Sequence, residues 1–344
     1  MKRFLIAGGV SALCLMSLTS CYEDYVKDYD YSGVYLAYQY DLRSFVVGEG
    51  MQFKIGAVLG GVIENNKDRD IWYVFNDNLV TEDLRMYVPG SETPFNAFSE
   101  MTGATNVGAV SQDYVKSAMT ASGISALTPI PSDAISTPSG RFISIARGSH
   151  TGTAVIKADS TAFLSLPGAG PKPYYAFGIQ ITSADADTVL LSKSYEVIAL
   201  RYENLLFGTW YHNGKTQICD AAGTLLDTKV YHSEANTDDL CNLTTVAPDA
   251  VEADKTGYLA GKLRIAVDGG VLSLSAAPGG PAIEDLGSSF NNVRLLQDRK
   301  LYLNYKFTDA SGNVNVVNDT LSFRNRIRDG VNEWQDENPE HYNK

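Results

Sequence analysis

Apolar and polar residues alternate one by one along most of the chain. In MQFKIGAVLGG, Phe53, Ile55, Ala57 and Leu59 share one face, and in DIWYVFN, Ile71, Tyr73 and Phe75 oppose Trp72 and Val74. A two-residue period is that of a strand with one buried face, and the 3.6-residue period of an amphipathic helix is scarce here. GRFISIARG, TGTAVIKAD, YYAFGIQITSAD and TVLLSKSYEVIALRYE continue the series with turn residues between them, a spacing that fits a sandwich. A second series opens after Glu203. In GKLRIAVDGGVLSLSAA, Leu263, Ile265 and Val267 lead into an Asp268-Gly269-Gly270 turn from which Leu272, Leu274 and Ala276 return, a hairpin signal. In KLYLNYKFTDASGNVNVVNDTLSFRNR, Leu301, Leu303, Tyr305 and Phe307 share a face and DASGN makes the bend. The two series predict domains over 33–202 and 205–335, joined near Arg201 to Asn204, with a polar tail over 336–344. They share alternation but no motif, so no internal repeat is expected.

Between Glu100 and Ser139 the composition shifts to Ala, Ser, Thr, Gly and Pro, with one short helix predicted near Ser111 to Ala121, ending toward Gly123. Long insertions on rigid scaffolds are often functional.

The N-terminus reads differently. Lys2 and Arg3 precede an apolar stretch from Phe4 to Leu18, too short for a spanning helix, which predicts a signal segment over 1–20. Leu18-Thr19-Ser20-Cys21 resembles a bacterial lipobox, which implies that Cys21 is acylated and becomes the first mature residue; an ordinary signal peptide with an incidental cysteine is the alternative. Tyr22, Tyr25, Tyr29 and Tyr31 then alternate with acids without an apolar stripe, predicting a solvated tether over 21–32. An acidic cluster in this place is similar to the surface-export signal of Bacteroidetes lipoproteins, implying an outer-membrane protein exposed at the cell surface. Removing Lys2 and Arg3 from 28 basic residues leaves 26 against 40 acids, a net charge of −14. That balance excludes nucleic acid as an expected partner, and the lipid is the only expected membrane contact.

VGEGMQFKIGAVLGGVIENNKDRDIWYVFNDNLV, RFISIARGSHTGTAVIKAD and LSKSYEVIAL resemble the N-terminal β-sandwich domain of uncharacterised Bacteroidetes lipoproteins, a domain that also precedes catalytic modules in some endoglycosidases of that phylum. The resemblance covers residues 30–202. LLFGTWYHNGKT through DTLSFRNRIRDGVNEWQ is similar to the C-terminal domain that follows it in non-enzymatic members. Together they imply an all-β protein, an N-terminal immunoglobulin-like β-sandwich followed by a second β-sandwich or barrel-like domain. They also imply an association with polysaccharide-utilisation loci. Fold does not give function, and the ligand is not carried over.

Enzyme signatures are scarce. About 140 residues follow the first domain, whereas a TIM barrel takes about 250, so the glycosidase that accompanies this domain elsewhere has no room. Nucleophile-elbow, zincin, P-loop and Rossmann motifs do not occur. Asp68 with Asp70, and Asp185 with Asp187, read as turn residues before they read as acid–base or calcium pairs. A glycoside hydrolase would need two carboxyls facing each other across a cleft. His150, His212, His232 and His341 lack a ligand spacing, and His212, Cys219, His232 and Cys241 lack the short cysteine pair of a zinc site, so neither a metal nor a cofactor is expected.

The expected function is therefore non-catalytic binding, of a glycan in polysaccharide capture or of another envelope protein in adhesion. Candidate platforms are Trp72, which alternates away from its strand's apolar face, Trp210 with Tyr211, which together cover both faces of theirs, and Trp334 in a polar stretch. The alternative for each is core packing, with the ligand in the 100–139 loop. FGTWY superficially resembles the G-x-W of lipocalins, for which a buried packing tryptophan is the alternative. Once Cys14 is removed and Cys21 acylated, Cys219 and Cys241 remain, giving either a disulfide, stabilising by about 3 kcal/mol over its loop, or two free thiols. Ser160, Thr188 and Thr320, each after an aspartate, resemble acceptors of Bacteroidetes protein O-glycosylation.

Overall fold

The computed structural model describes residues 31–80, 118–121, 123, 127–232 and 239–336. The signal segment, Cys21, nearly all of the tether, much of the 100–139 stretch and the tail from 337 lie outside them. Of the helix expected over 111–121, residues 118–121 are described and are helical.

The first eleven strands are β1 (Gly33–Leu36), β2 (Tyr40–Val47), β3 (Gln52–Gly60), β4 (Arg69–Phe75), β5 (Thr128–Pro129), β6 (Ile135–Ser136), β7 (Phe142–Ile145), β8 (Thr151–Ala158), β9 (Tyr175–Ala184), β10 (Thr188–Val189) and β11 (Tyr195–Asn204). A short helix, α1 (Ser160–Ser165), follows β8. Hydrogen bonding runs β10-β1-β3-β8-β7-β4-β9-β11-β2, with β5 and β6 added on β9 and β8. The short β7 pairs with both β8 and β4, so the sheet turns over there and its halves enclose one core. Val34, Phe53, Ile55, Ile71, Ile143, Ile156, Phe177 and Ile198 meet in it. Phe53, Ile55, Ala57, Leu59, Ile71 and Tyr73 are buried as their parity demands, while Trp72 and Val74 point outward.

Strand β11 departs from that rule, because nine of its ten residues are buried on both faces. Leu79, Val80, Met119 and Leu127 from the excursion between β4 and β5 pack on the outer face, against Tyr40, Leu42, Val197 and Ala199. In this second layer Arg43 meets Asp41 at 2.7 Å. Burial foremost raises both carboxyls against the pull of Arg43, with the charge of Asp41 adding to the rise at Glu196 and that of Asp329 to the rise at Asp41.

The second domain comprises β12 (Gly208–Cys219), β13 (Leu225–Tyr231), β14 (Leu240–Ala247), β15 (Ala250–Thr256), β16 (Leu259–Asp268), β17 (Val271–Ala276), β18 (Ile283–Asp285), β19 (Ser289–Phe290), β20 (Lys300–Thr308), β21 (Val314–Arg328) and β22 (Val331–Glu333). Order β17-β16-β15-β14-β12-β21-β20-β18 is antiparallel throughout, and the Leu274 amide donates to Asp285 Oδ2 across the seam at 2.9 Å, nearly closing a barrel. Inward residues such as Leu263, Ile265, Leu274, Leu301, Leu303 and Val317 fill it. Gly269 and Gly270, both with positive φ (56° and 86°), form the two-residue turn joining β16 to β17, a backbone that glycine adopts without strain. Ala276 departs from the expected pattern: it is exposed, and Ala277 is buried in its place.

Residues 201–204 do not form a linker. They complete β11, paired with β2 from Arg201↔Ser44 to Asn204↔Val47. Asn204 is buried, and its side-chain Nδ2 donates to Pro248 O while Oδ1 accepts from the Leu206 amide. Four residues later β12 begins. Ion pairs bind the domains: Arg299 Nη1 donates to Glu49 Oε1 at 2.7 Å, and Arg326 donates to Oε1 and Oε2 at 2.9 and 2.8 Å. Nearby, the Ser44 amide and hydroxyl donate to Asp329 at 2.9 and 2.6 Å, and Arg201 donates to the Ser44 hydroxyl at 2.8 Å. The turn between β21 and β22 is thereby docked on β2.

Candidate functional site

Sheet register brings Trp72 of β4 directly opposite Phe142 of β7. Residues so placed carry Cβ atoms about 5 Å apart on one face. Here that face is the outer one: Trp72, Val74 and Phe142 are 40%, 37% and 36% exposed, whereas Ile71, Tyr73 and Ile143 behind them are buried. Polar groups surround the pair. Ser144 donates to Asp70 Oδ1, Asn76 donates to Gln180 Oε1 at 2.8 Å, and Thr182 donates to the Trp72 carbonyl at 3.2 Å. The result is a shallow apolar platform rimmed by hydrogen-bonding side chains. Phe142 is the member that the sequence reading missed. Its signal was the parity of GRFISIARG, where Phe142 and Ser144 oppose the buried Ile143 and Ile145.

The other tryptophans part company. Trp210 is fully buried, which corrects its assignment as a platform: β12 turns Gly208, Trp210, His212 and Thr216 into the barrel. Its Nε1 donates to Leu206 O at 3.0 Å, and its ring meets Phe323 edge-on at 5.4 Å. Tyr211 is half-buried on the outer face, opposite Leu240 and Ser322. Trp334 follows β22 and is 59% exposed, in the other domain from Trp72.

Cys219 and Cys241 are both free, which corrects the disulfide expectation. Cys241 pairs with Trp210, near one end of β12, and Cys219 is that strand's last residue, nine positions on. At about 3.3 Å per residue the two are far beyond disulfide reach. Burial foremost raises the Cys241 thiol.

Each aspartate that precedes a candidate O-glycosylation residue has a structural partner. Asp159 caps α1, accepting from the Ala162 amide at 2.8 Å, and Ser160 is exposed at the first helical position. Asp187 accepts from the Ser32 amide and hydroxyl, beside the half-buried Thr188. Asp319 lies inside the barrel, while Thr320, half-buried on the outer face of β21, stands between Asn213 and Tyr302. The acid pairs of the first domain likewise have structural partners, although Asp70 lies within β4 and not in the turn expected of it. Asp68 accepts from the Arg147 amide, and Asp185 from the Asp70 amide.

Inside the barrel a polar cluster surrounds His212, whose Nδ1 is 3.3 Å from Asp239 and Nε2 3.2 Å from Asp319. Tyr231 also donates to Asp319, and its ring lies 4.7 Å from the imidazole. Tyr305 accepts from the Gly257 amide at 2.6 Å. Burial on its own would lower the imidazole pKa, but Asp319 and then Asp239 outweigh it and raise it above 6.5. This cluster is closed to solvent on the Asp319 side, as are Asp41 and Glu196. Neither forms the open pair of carboxyls that a glycosidase presents. Among the described residues, no three His, Cys, Asp or Glu side chains gather as a metal site.

No protein-family model matches the chain, and no curated protein matches it. Among solved structures, a protein of unknown function from Bacteroides ovatus is similar at 16% identity and a TM-score of 0.58, covering 90% of this chain and 99% of that one. An auxiliary nutrient binding protein from Bacteroides thetaiotaomicron is 11% identical with a TM-score of 0.35, over 86% of this chain and 93% of that one. A multidomain protein from Bacteroides ovatus is 11% identical with a TM-score of 0.34, over 89% and 100%. The first shows the fold along both domains. The other two superpose too loosely to bear on function.

Proposed function

We propose that this chain is a surface-anchored, non-catalytic lipoprotein that binds a glycan on its N-terminal domain. The observation that carries this reading is the exposed Trp72–Phe142 pair. Sugar rings have apolar faces that lie flat against aromatic side chains while their hydroxyls reach polar groups at the edge, and such rings supply rigid contact area at small entropy cost. Asp70, Ser144, Gln180 and Thr182 supply that edge. Affinity electrophoresis against a panel of neutral polysaccharides tests it. Trp72→Ala is expected to weaken retention at least tenfold, about 1.4 kcal/mol, with the melting temperature nearly unchanged because the side chain lies outside the core. Equal retention of wild type and variant on every retained glycan would refute the platform.

We further propose that the protein is held on the outer membrane by acyl chains on Cys21 and carries O-glycans at Ser160, Thr188 or Thr320. The supports are the LTSC sequence, the acidic run after it and the three Asp-Ser/Thr sites. Intact mass of the native protein should exceed the polypeptide from residue 21 by acyl and sugar increments. Cys21→Ala should lack the acyl increment and keep residues 1–20. A native mass equal to the acylated polypeptide would remove the glycans, and a mass without acyl chains would remove the anchor.

A further inference from the structure

Strand β13 pairs through one edge with β12, and among the described residues its other edge has no ladder partner. Six of its seven residues are exposed. Leu225, Leu226 and Val230 are 53%, 56% and 76% exposed. An exposed strand edge is a template for another strand, and this one carries apolar residues on either side of a central Asp-Thr-Lys. The sequence of β13, Leu-Leu-Asp-Thr-Lys-Val-Tyr, reads as its own complement. When two copies run antiparallel about a twofold axis at Thr228, Asp227 of each meets Lys229 of the other, and Val230 of each faces Leu226, the residue at which β13 bulges from its ladder with β12. Within one chain Lys229 and Asp227 already sit on one face, 2.7 Å apart and half exposed, so the charges are in place to pair across the axis. Directly opposed opposite charges and apolar pairs both favour a strand pairing.

We propose that β13 is a homodimerisation edge, joining two copies of this chain through a continuous antiparallel ladder centred on Thr228. Two seven-residue strands make a small interface, so the dimer is weak and reversible. Sedimentation velocity on the full-length protein over a concentration series tests it, with near-ultraviolet circular dichroism as the check on folding. Asp227→Lys and Lys229→Asp each place like charges opposite one another and are expected to weaken dimerisation at least tenfold. Asp227→Lys combined with Lys229→Asp restores the opposite pairs and is expected to restore the dimer. A wild type that stays monomeric throughout overturns the proposal, as does a dimer indifferent to both single reversals or one that the double exchange fails to restore.

Discussion

Glu49→Ala is expected to cost about 3 kcal/mol and to split thermal unfolding into two transitions, one for each domain. Glu49 is the only acid shared by Arg299 and Arg326 among the described ion pairs, and both guanidinium groups are nearly buried, at 4% and 3% side-chain exposure. Removing one partner of a buried pair leaves the other charges uncompensated, which costs about 3–5 kcal/mol. Arg326 keeps Glu333, at 2.5 Å, and Arg299 keeps the Leu205 and Arg294 carbonyls, so the lower end of that range applies. The pH dependence follows with a definite sign. Burial would push the Glu49 carboxyl up, but Arg326 and then Arg299 overcome it and hold it at about 2, below the ordinary 4.5. A depressed carboxyl stabilises the fold fully above its unfolded pKa, and that contribution is lost as pH falls from about 4.5 through about 2. Scanning calorimetry from pH 7 to pH 2 should show the wild type losing its domain coupling only in that window, while Glu49→Gln has lost it already at pH 7. A single unfolding transition with the wild-type midpoint in Glu49→Ala would contradict this.

Asp319→Ala is expected to destabilise the barrel by a comparable amount, about 3 kcal/mol or more, and to loosen β13. Asp319 is 5% exposed and faces His212, Tyr231 and Tyr305. Without it the imidazolium loses its closer carboxylate, and Tyr231, which seats β13 on the barrel, loses an acceptor, though Thr216 at 3.1 Å remains. Because the His212 pKa is raised in the folded state, its contribution is complete below the unfolded value near 6.5 and disappears as pH rises through the folded value. Urea denaturation at pH 6 and pH 9 checks this sign. Wild type should lose stability toward pH 9 through this group, and His212→Gln should lack that component. An NMR titration placing the His212 transition at or below 6.5 would contradict the account, whatever the stability of the variants.

The strand faces and the hairpins were legible in the residues. Alternation follows from the geometry of an extended backbone, which points successive side chains to opposite faces, so Phe53, Ile55, Leu301 and Leu303 could be assigned inward without knowing their neighbours. The turn at Gly269-Gly270 is as local, because two consecutive positive φ angles call for glycine. Asp220 and Asp309 make their turns in the same way, each accepting from the amides two and four residues on.

Where parity left two answers, closure of the sheet chose between them. FGTWY places aromatics on both faces of β12, and only the barrel's curvature determines that Trp210 is inside and Tyr211 outside. Likewise Cys219 and Cys241 are close in sequence, but the ladder sets them near opposite ends of one strand. Asp319, which the residues marked only as the neighbour of a candidate modified threonine, proved to be the acid at the centre of the barrel's polar cluster.

Contacts between distant segments had no local signal at all. Phe142 reaches Trp72 through a ladder between strands separated by the whole 76–141 excursion, and Glu49 meets Arg299 and Arg326 across 250 and 277 residues. Periodicity is a property of a few consecutive residues and survives any tertiary arrangement. Which charges neutralise one another, and which aromatic rings share an exposed face, depends on register, on the fold-over at β7 and on the docking of one domain against the other, and these exist only once the chain has closed on itself.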